Sequence, residues 1–183
     1  GAARPTGNVI FRSDDGGESW SEVENPYYEK LKKNEGMKPV QGEVSSDGYL
    51  YCTFGDKAGP NNVMRGSVQK YSIKDKTWEE ITPDLKYTCG YSGLSVNPND
   101  PNMIVVTTLD LWAVVDNIYT SFDGGKTWTG IWDPETQKTN YNLDISECKW
   151  LDWQGQLKPG WWMTGVSINP FNPDEIMYGT GAT

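Results

Sequence analysis

The sequence predicts an all-β chain of propeller blades, each of four antiparallel strands, and three observations predict it. An eight-residue pattern, S-x-D-x-G-x-x-W, stands at Ser13–Trp20 and again at Ser121–Trp128. A second segment repeats in phase with it: Gly93-Leu94-Ser95-Val96-Asn97-Pro98-Asn99-Asp100-Pro101-Asn102 returns as Gly165-Val166-Ser167-Ile168-Asn169-Pro170-Phe171-Asn172-Pro173-Asp174. A worn copy of the first pattern ends at Trp78, so its closing tryptophans fall at 20, 78 and 128, in steps of 58 and 50 residues. A period near 50, with strand-type segments only, is the spacing of propeller blades.

The first repeat predicts hairpin turns. In the later copy, Asp123-Gly124-Gly125 lies between two runs rich in β-formers, Asn117–Thr120 and Trp128–Trp132, which is a strong hairpin signal. The paired glycines allow positive φ, and the Ser and Asp side chains can accept from turn N–H groups. The Trp opening the outgoing strand is expected to fold back over the turn. In the worn copy, Tyr71–Trp78, the glycines are gone but Ser72, Asp75, Thr77 and Trp78 remain.

The second repeat predicts another kind of turn, each copy leading into an apolar strand: Met103–Val106 in one case, Ile176–Tyr178 in the other. Glu43-Val44-Ser45 leading into Tyr49–Thr53 is a shorter form of it, with Asp47-Gly48 at the tip. The chain of 183 residues then holds about three blades, fewer than the four to eight a closed propeller usually takes. It is therefore expected to be an internal segment, with Gly1–Pro5 the tail of a blade strand and unpaired strand edges at both ends.

The composition removes several chemistries. With no histidine among its residues, the chain has no Ser-His-Asp or Cys-His nucleophile, and a zinc site is not expected. The three cysteines, Cys52, Cys89 and Cys148, are odd in number and lack C-x-x-C spacing; a buried free thiol is the expectation for Cys52, in a predicted strand. No cofactor is expected. The formal charge of −9 and pI near 4.5 fit neither nucleic acid nor an anionic membrane surface as partner. No apolar run is long enough to span a bilayer. Aromatic residues make up 13% of the chain, nine of them Trp and ten Tyr, more than three small cores require, and sugars stack on exposed rings.

Most carboxylates have a structural reading. Asp14, Asp15 and Asp123 sit in the turns, where an acid is a turn acceptor. The charged run Glu29–Glu35 reads as a short solvated helix. Longer connections are better candidates for binding. The loop Phe54–Asn62 is glycine-rich and longer than a tight turn. In Leu109–Ile118, Trp112 stands between two strands, outside an alternating pattern, flanked by Asp110 and Asp116. About 30 residues separate Trp132 from Trp162, and they include Tyr141, Trp150, Trp153 and Trp161.

The eight-residue pattern resembles the Asp-box of BNR-type repeats, found in sialidases, sortilin-like receptors, photosystem assembly factors and xyloglucan-cleaving propeller enzymes. A more specific succession surrounds it: Gly66–Tyr71, Thr77-Trp78 with Ile81-Thr82-Pro83, Gly90–Val96, Thr127-Trp128 with Ile131-Trp132, and Trp162-Met163 through Tyr178–Thr183. In that order, over almost the whole chain, it resembles glycoside hydrolase family 74, the xyloglucanases.

The resemblance implies two seven-bladed propellers facing each other across a cleft, this segment being the last part of the N-terminal one. It implies inverting hydrolysis of a β-1,4-glucan backbone by an aspartate acid and an aspartate base, whose carboxyl groups stand roughly 6.5–9.5 Å apart in such enzymes. Neither motif lies between Gly1 and Thr183, so no catalytic residue is expected here, and none of Asp110, Asp116, Asp144 and Asp152 matches one. The implied partners are xyloglucan or a related β-glucan and the remaining blades of the parent chain, and the implied location is extracellular. The substrate-binding candidates are Trp112, Tyr91, Asp116, Trp161 and Trp162. Trp112 matches the first of a family Trp pair whose second member is replaced by Ala113, which weakens the expectation of extended gripping of the chain.

Two other classes explain the turns. A sialidase needs clustered arginines, and only Arg4, Arg12 and Arg65 are present. A non-catalytic propeller that binds protein or peptide, sortilin-like or assembly-factor-like, also lacks a catalytic pair, but it does not account for Tyr178–Thr183 or the Trp-rich loops.

Overall fold

A computed structural model describes residues 10–27, 37–57, 59–111, 116–133, 135–136, 138–140 and 160–182. Its strands are β1 (Phe11–Arg12), β2 (Ser21–Glu22), β3 (Lys38–Val44), β4 (Tyr49–Gly55), β5 (Gly66–Ser72), β6 (Thr77–Glu80), β7 (Gly90–Val96), β8 (Ile104–Leu109), β9 (Ile118–Ser121), β10 (Thr129–Gly130), β11 (Trp132–Asp133), β12 (Lys138–Thr139), β13 (Trp161–Ile168) and β14 (Ile176–Ala182). Each sheet is antiparallel between consecutive strands. Two are complete four-stranded meanders, β3–β6 and β7–β10; β1–β2, β11–β12 and β13–β14 are two-stranded. The fold is all-β, in propeller-type blades.

Each predicted turn joins a fixed pair of strands. The S-x-D-x-G-x-x-W turns join β1 to β2 and β9 to β10, and the worn copy joins β5 to β6, so the pattern marks the outer hairpin of a blade. Ser121 Oγ donates to Asp123 Oδ1 at 2.8 Å and accepts from Gly125 N at 2.9 Å. Asp123 in turn accepts from the Thr127 amide at 2.9 Å and the Thr127 hydroxyl at 2.6 Å. Ser13, Asp15, Gly17 and Ser19 repeat this network at 2.5–2.9 Å. These hydrogen bonds, first those from Thr127 and Ser19, lower the carboxyl pKa of Asp123 and Asp15 to about 2. Gly125 has φ +90°, and a Cβ there would stand 2.8 Å from the Ile81 side chain, so glycine is required for both conformation and room. The worn turn is built differently: Lys76 takes the left-handed φ of 57°, and Ser72 Oγ donates to Asp75 Oδ2 at 2.8 Å.

The second repeat, Asn-Pro-x-Asp/Asn-Pro, joins the two inner strands, β7 to β8 and β13 to β14. Asn97 N donates to Met103 O at 3.0 Å and Met103 N to Asp100 O at 2.9 Å; the equivalent bonds are Asn169 N to Glu175 O at 2.9 Å and Glu175 N to Asn172 O at 3.0 Å. The shorter form also turns as expected, with Gly48 at φ +82°.

Burial follows position in the stack. Every residue of β7 and β8 is buried, whereas β3 alternates between exposed and partly exposed positions; in β4, Tyr51 joins the core shared with the second meander, while Cys52 and Phe54 pack in another cluster with Ile10. The period of two along β8 sends Ile104 and Val106 into one core, with Tyr51, Val68, Tyr91 and Leu94, and Val105 into another, with Met163, Val166 and Ile168. Polar side chains tie the inner strands together between sheets. Gln41 Nε2 donates to Leu94 O at 2.8 Å while its Oε1 accepts from Leu94 N at 3.3 Å. Val96 N donates to Glu43 Oε2 and Ile168 N to Ser95 Oγ, both at 3.2 Å. Because Glu43 and Ser95 precede Val44 and Val96 at matched places in their strands, the same tie is used twice. Turns are joined likewise, Ser46 Oγ to Pro98 O at 3.1 Å and Asn99 Nδ2 to Pro170 O at 2.8 Å.

Cys52 and Cys89 are buried free thiols, each raised by burial to about 12, in line with the strand reading of Cys52. The run Glu29–Glu35, Trp112–Val115, Tyr141, Cys148, Trp150 and Trp153 lie outside the described residues.

Candidate functional site

In an antiparallel meander alternate connections leave from the same end of the sheet, so the turns described above share one end and the long connections share the other. That second end carries the loop from β4 to β5 (56–65), the loop from β6 to β7 (81–89), the loop from β8 to β9 (110–117) and the connection from β10 to β13. Of the substrate-binding candidates, Tyr91, Asp116, Trp161 and Trp162 lie at this end, and Trp112 lies outside the described residues.

A cavity of about 450 Å³ opens between the first two loops, lined by Arg65, Glu80, Asp84, Tyr87, Cys89 and Tyr91 among others. Tyr87 is 39% exposed. Tyr91 lies at its floor, 3% exposed, its hydroxyl donating to Pro83 O at 3.4 Å, and burial raises its phenol. Gly66, at the start of β5, lets the sheets meet beneath the cavity: a Cβ there would fall 2.4 Å from Phe54 O and 2.8 Å from Gly90 Cα. Arg65 and Tyr87 were not singled out by the sequence, because neither belongs to a repeat and each is brought to the cavity by a different loop.

The 56–65 loop is folded on its own carboxylate. Asp56 N donates to Arg65 O at 2.9 Å, Met64 N donates to Asp56 Oδ1 at 3.0 Å, and the Arg65 guanidinium lies 3.9 Å from Asp56 Oδ2. Asp110 reaches this loop from the next sheet. It takes a left-handed φ of 67° and is buried, its Oδ2 accepting from Val63 N at 2.8 Å while Oδ1 has no hydrogen-bond partner among the described residues.

Asp116 is fully buried. Its Oδ1 accepts from Leu111 N at 2.9 Å and the Thr108 hydroxyl at 3.1 Å; its Oδ2 accepts from Trp162 N at 2.7 Å and Asp110 N at 3.3 Å. Desolvation raises its pKa, with the four hydrogen bonds pulling the other way. The neighbouring Asn117 side chain pairs with the Trp132 backbone, donating to its O at 2.7 Å and accepting from its N at 3.1 Å. Trp161 and Trp162, the first residues of β13, are half-buried. Trp162 has φ 56°, and Trp161 O accepts from the Thr180 hydroxyl at 2.6 Å. The structure thus joins Asp116 to Trp162 directly, whereas Tyr91, in β7, lines a cavity that Asp116, Trp161 and Trp162 do not line.

Among the described residues no group of three His, Cys, Asp or Glu side chains is arranged to hold a metal. No family model matches the chain. It is similar to curated xyloglucanases: 37% identical over 191 residues to one from Acetivibrio thermocellus, covering 95% of this chain and 22% of that protein. A probable oligoxyloglucan-reducing end-specific xyloglucanase from Neosartorya fischeri is 32% identical, over 100% of this chain and 28% of its own length. Among solved structures, the glycoside hydrolase family 74 enzyme of Niastella koreensis superposes with a TM-score of 0.76 at 26% identity, over 96% of this chain and 24% of that one. The family 74 xyloglucanase of Xanthomonas campestris gives 0.74 at 26% identity. The chain therefore spans about a quarter or less of most relatives it matches, and the resemblance to family 74 extends over nearly all of its own length.

Proposed function

We propose that this chain is part of an extracellular xyloglucan-degrading β-1,4-glucanase and supplies a carbohydrate-contacting surface, with the catalytic aspartate pair carried elsewhere in the parent protein. The observation that supports this best is the 37% identity to a xyloglucanase over 95% of the chain. The S-x-D-x-G-x-x-W turns are Asp-boxes of the BNR type in this reading, and they lie at the end of the sheets away from the ligand.

The contact surface is the loop end. Trp112, Trp161 and Trp162 offer rings to sugar faces, and the cavity beside Tyr87 and Tyr91 accepts a branch or a backbone unit, with Arg65, Glu80 and Asp84 at hand for hydroxyl groups. A neutral, hydroxyl-rich polymer suits this mix of aromatic and polar groups, and a chain with formal charge −9 does not repel it. Tyr91 and Asp116, both buried, serve the surface from beneath. Inverting hydrolysis needs a water between two carboxyl groups; this segment contributes grip and orientation to that reaction.

The test is hydrolysis by the full-length protein. Release of reducing ends from xyloglucan, faster than from an unbranched β-1,4-glucan, supports the reading. Binding of a peptide or protein partner by the loop end, with no hydrolysis of xyloglucan, would favour the non-catalytic propeller instead.

A further inference from the structure

We infer that Asp116 is a positioning residue whose buried carboxylate fixes the backbone at Trp161–Trp162, and so sets how this tryptophan pair is presented at the loop end. The inference rests on the reading that this pair meets the ligand.

Three features carry it. The side chain is 0% exposed, so it does not itself touch a sugar. All four of its partners are donors: the amides of Asp110, Leu111 and Trp162, and the hydroxyl of Thr108. The Thr108 hydroxyl donates to the carboxylate, which can only accept, while its own oxygen accepts from Asn117 N at 2.8 Å. The site therefore demands two acceptor oxygens. An asparagine there must turn its NH2 toward either the Leu111 side or the Trp162 side, leaving a buried N–H facing another N–H.

The third feature is strain at the far end of the bond. Trp162 holds a left-handed φ of 56°, which a bulky residue adopts only when its surroundings impose it. The register of β13 against β14 shifts just after it, between Met163 and Gly165. The 2.7 Å bond from Trp162 N to Asp116 Oδ2 ties the residue before Met163 to the preceding sheet, whose Ser92 and Thr107 hydroxyls hold the Met163 carbonyl itself. Asp116 thus joins the 110–117 loop to the tryptophan pair, acting on the ligand only through that pair.

The experiment compares Asp116→Asn, Trp162→Ala and Val106→Ala in the full-length protein. Val106→Ala weakens the same sheet without touching the link. Amide hydrogen exchange at Trp162 reports the backbone; titration with a xyloglucan oligosaccharide reports presentation of the rings. In Asp116→Asn, exchange at Trp162 is expected to rise by about tenfold or more over that in Val106→Ala, the loss of a bond to a charged group, with oligosaccharide affinity falling several-fold. Exchange at Trp162 no faster than in Val106→Ala would overturn the inference. Faster exchange with affinity unchanged in both Asp116→Asn and Trp162→Ala would support the positioning role and sink the sugar-contact reading, so the two fail separately.

Discussion

The indole N–H of Trp128 is shared between two carbonyls, Gly125 O of its own turn at 3.1 Å and Ile81 O of the preceding meander at 2.8 Å. Trp78 does the second half of this, donating to Glu24 O at 2.9 Å. Ile81 follows β6 and Glu24 follows β2, so Trp78 and Trp128 each reach back to the end of the outer strand one blade earlier, while Trp20 donates to Gly17 O of its own turn at 3.1 Å. The sequence reading assigned the Trp to its own corner; the structure adds a latch between sheets.

Replacing Trp128 by Phe removes that shared donor and keeps most of the ring packing. A loss of about 1–2 kcal/mol in a urea melt of the full-length protein is expected, from a buried carbonyl left without its donor. An unchanged midpoint would show that water replaces the indole without cost.

Asp123 and Asp15 give a pH signature. Their folded pKa lies near 2 against 3.8 unperturbed, and a depressed carboxyl pKa contributes stability that is present above the unfolded value and lost as pH falls through the folded one. The turns should therefore hold their Thr127 and Ser19 amide bonds down to about pH 3 and release them near pH 2. Amide chemical shifts of these two residues, followed from pH 5 to pH 1.5, read the midpoints directly. Midpoints near 4 would contradict the network. Asp123→Asn should abolish the titration at Thr127 while leaving that turn folded, since its Oδ1 still accepts from the backbone.

Met163 is fully buried between the second meander and β13–β14, and its carbonyl accepts from both Ser92 Oγ and Thr107 Oγ1. Met163→Ala keeps those backbone bonds and empties the side-chain site. The expected cost is about 2–5 kcal/mol, measured by chemical denaturation of the full-length protein. A cost under about 1 kcal/mol would mean that the two sheets close over the gap.

For Trp112 the expectation comes from sequence alone. A ring stacked on a glucose face contributes roughly 0.5–1.5 kcal/mol beyond area burial, by analogy with aromatic pairs, or about two- to twelvefold in affinity. Trp112→Ala should weaken oligosaccharide binding by that factor with little change in melting temperature. A large drop in melting temperature at unaltered affinity would assign the ring to packing.

What the sequence disclosed was what is local. The Ser121–Trp128 turn and the Asn97–Asn102 turn are each closed by hydrogen bonds within a few residues, so their chemistry is visible in consecutive letters. The ties between sheets are not: Gln41 and Leu94, or Ser95 and Ile168, stand far apart in sequence, and nothing in Gln41 itself announces two bonds to another strand. The site shows the same division. Its loops were legible as long connections bearing tryptophans, but the burial of Tyr91 and Asp116 depends on which sheet covers them. An aspartate between Val115 and Asn117 looks like a loop acid until the Trp162 amide is brought to it from the far side of a long connection.

The most direct measurement is a calorimetric titration of the full-length protein with a branched xyloglucan oligosaccharide and, in parallel, with an unbranched β-1,4-glucan oligosaccharide of equal backbone length. Preferential binding of the branched ligand, weakened by Trp162→Ala, is the predicted result. Absence of binding to either, or binding that Trp112→Ala, Trp161→Ala and Trp162→Ala all leave unaltered, would contradict the assignment of the loop end as a xyloglucan-contacting surface.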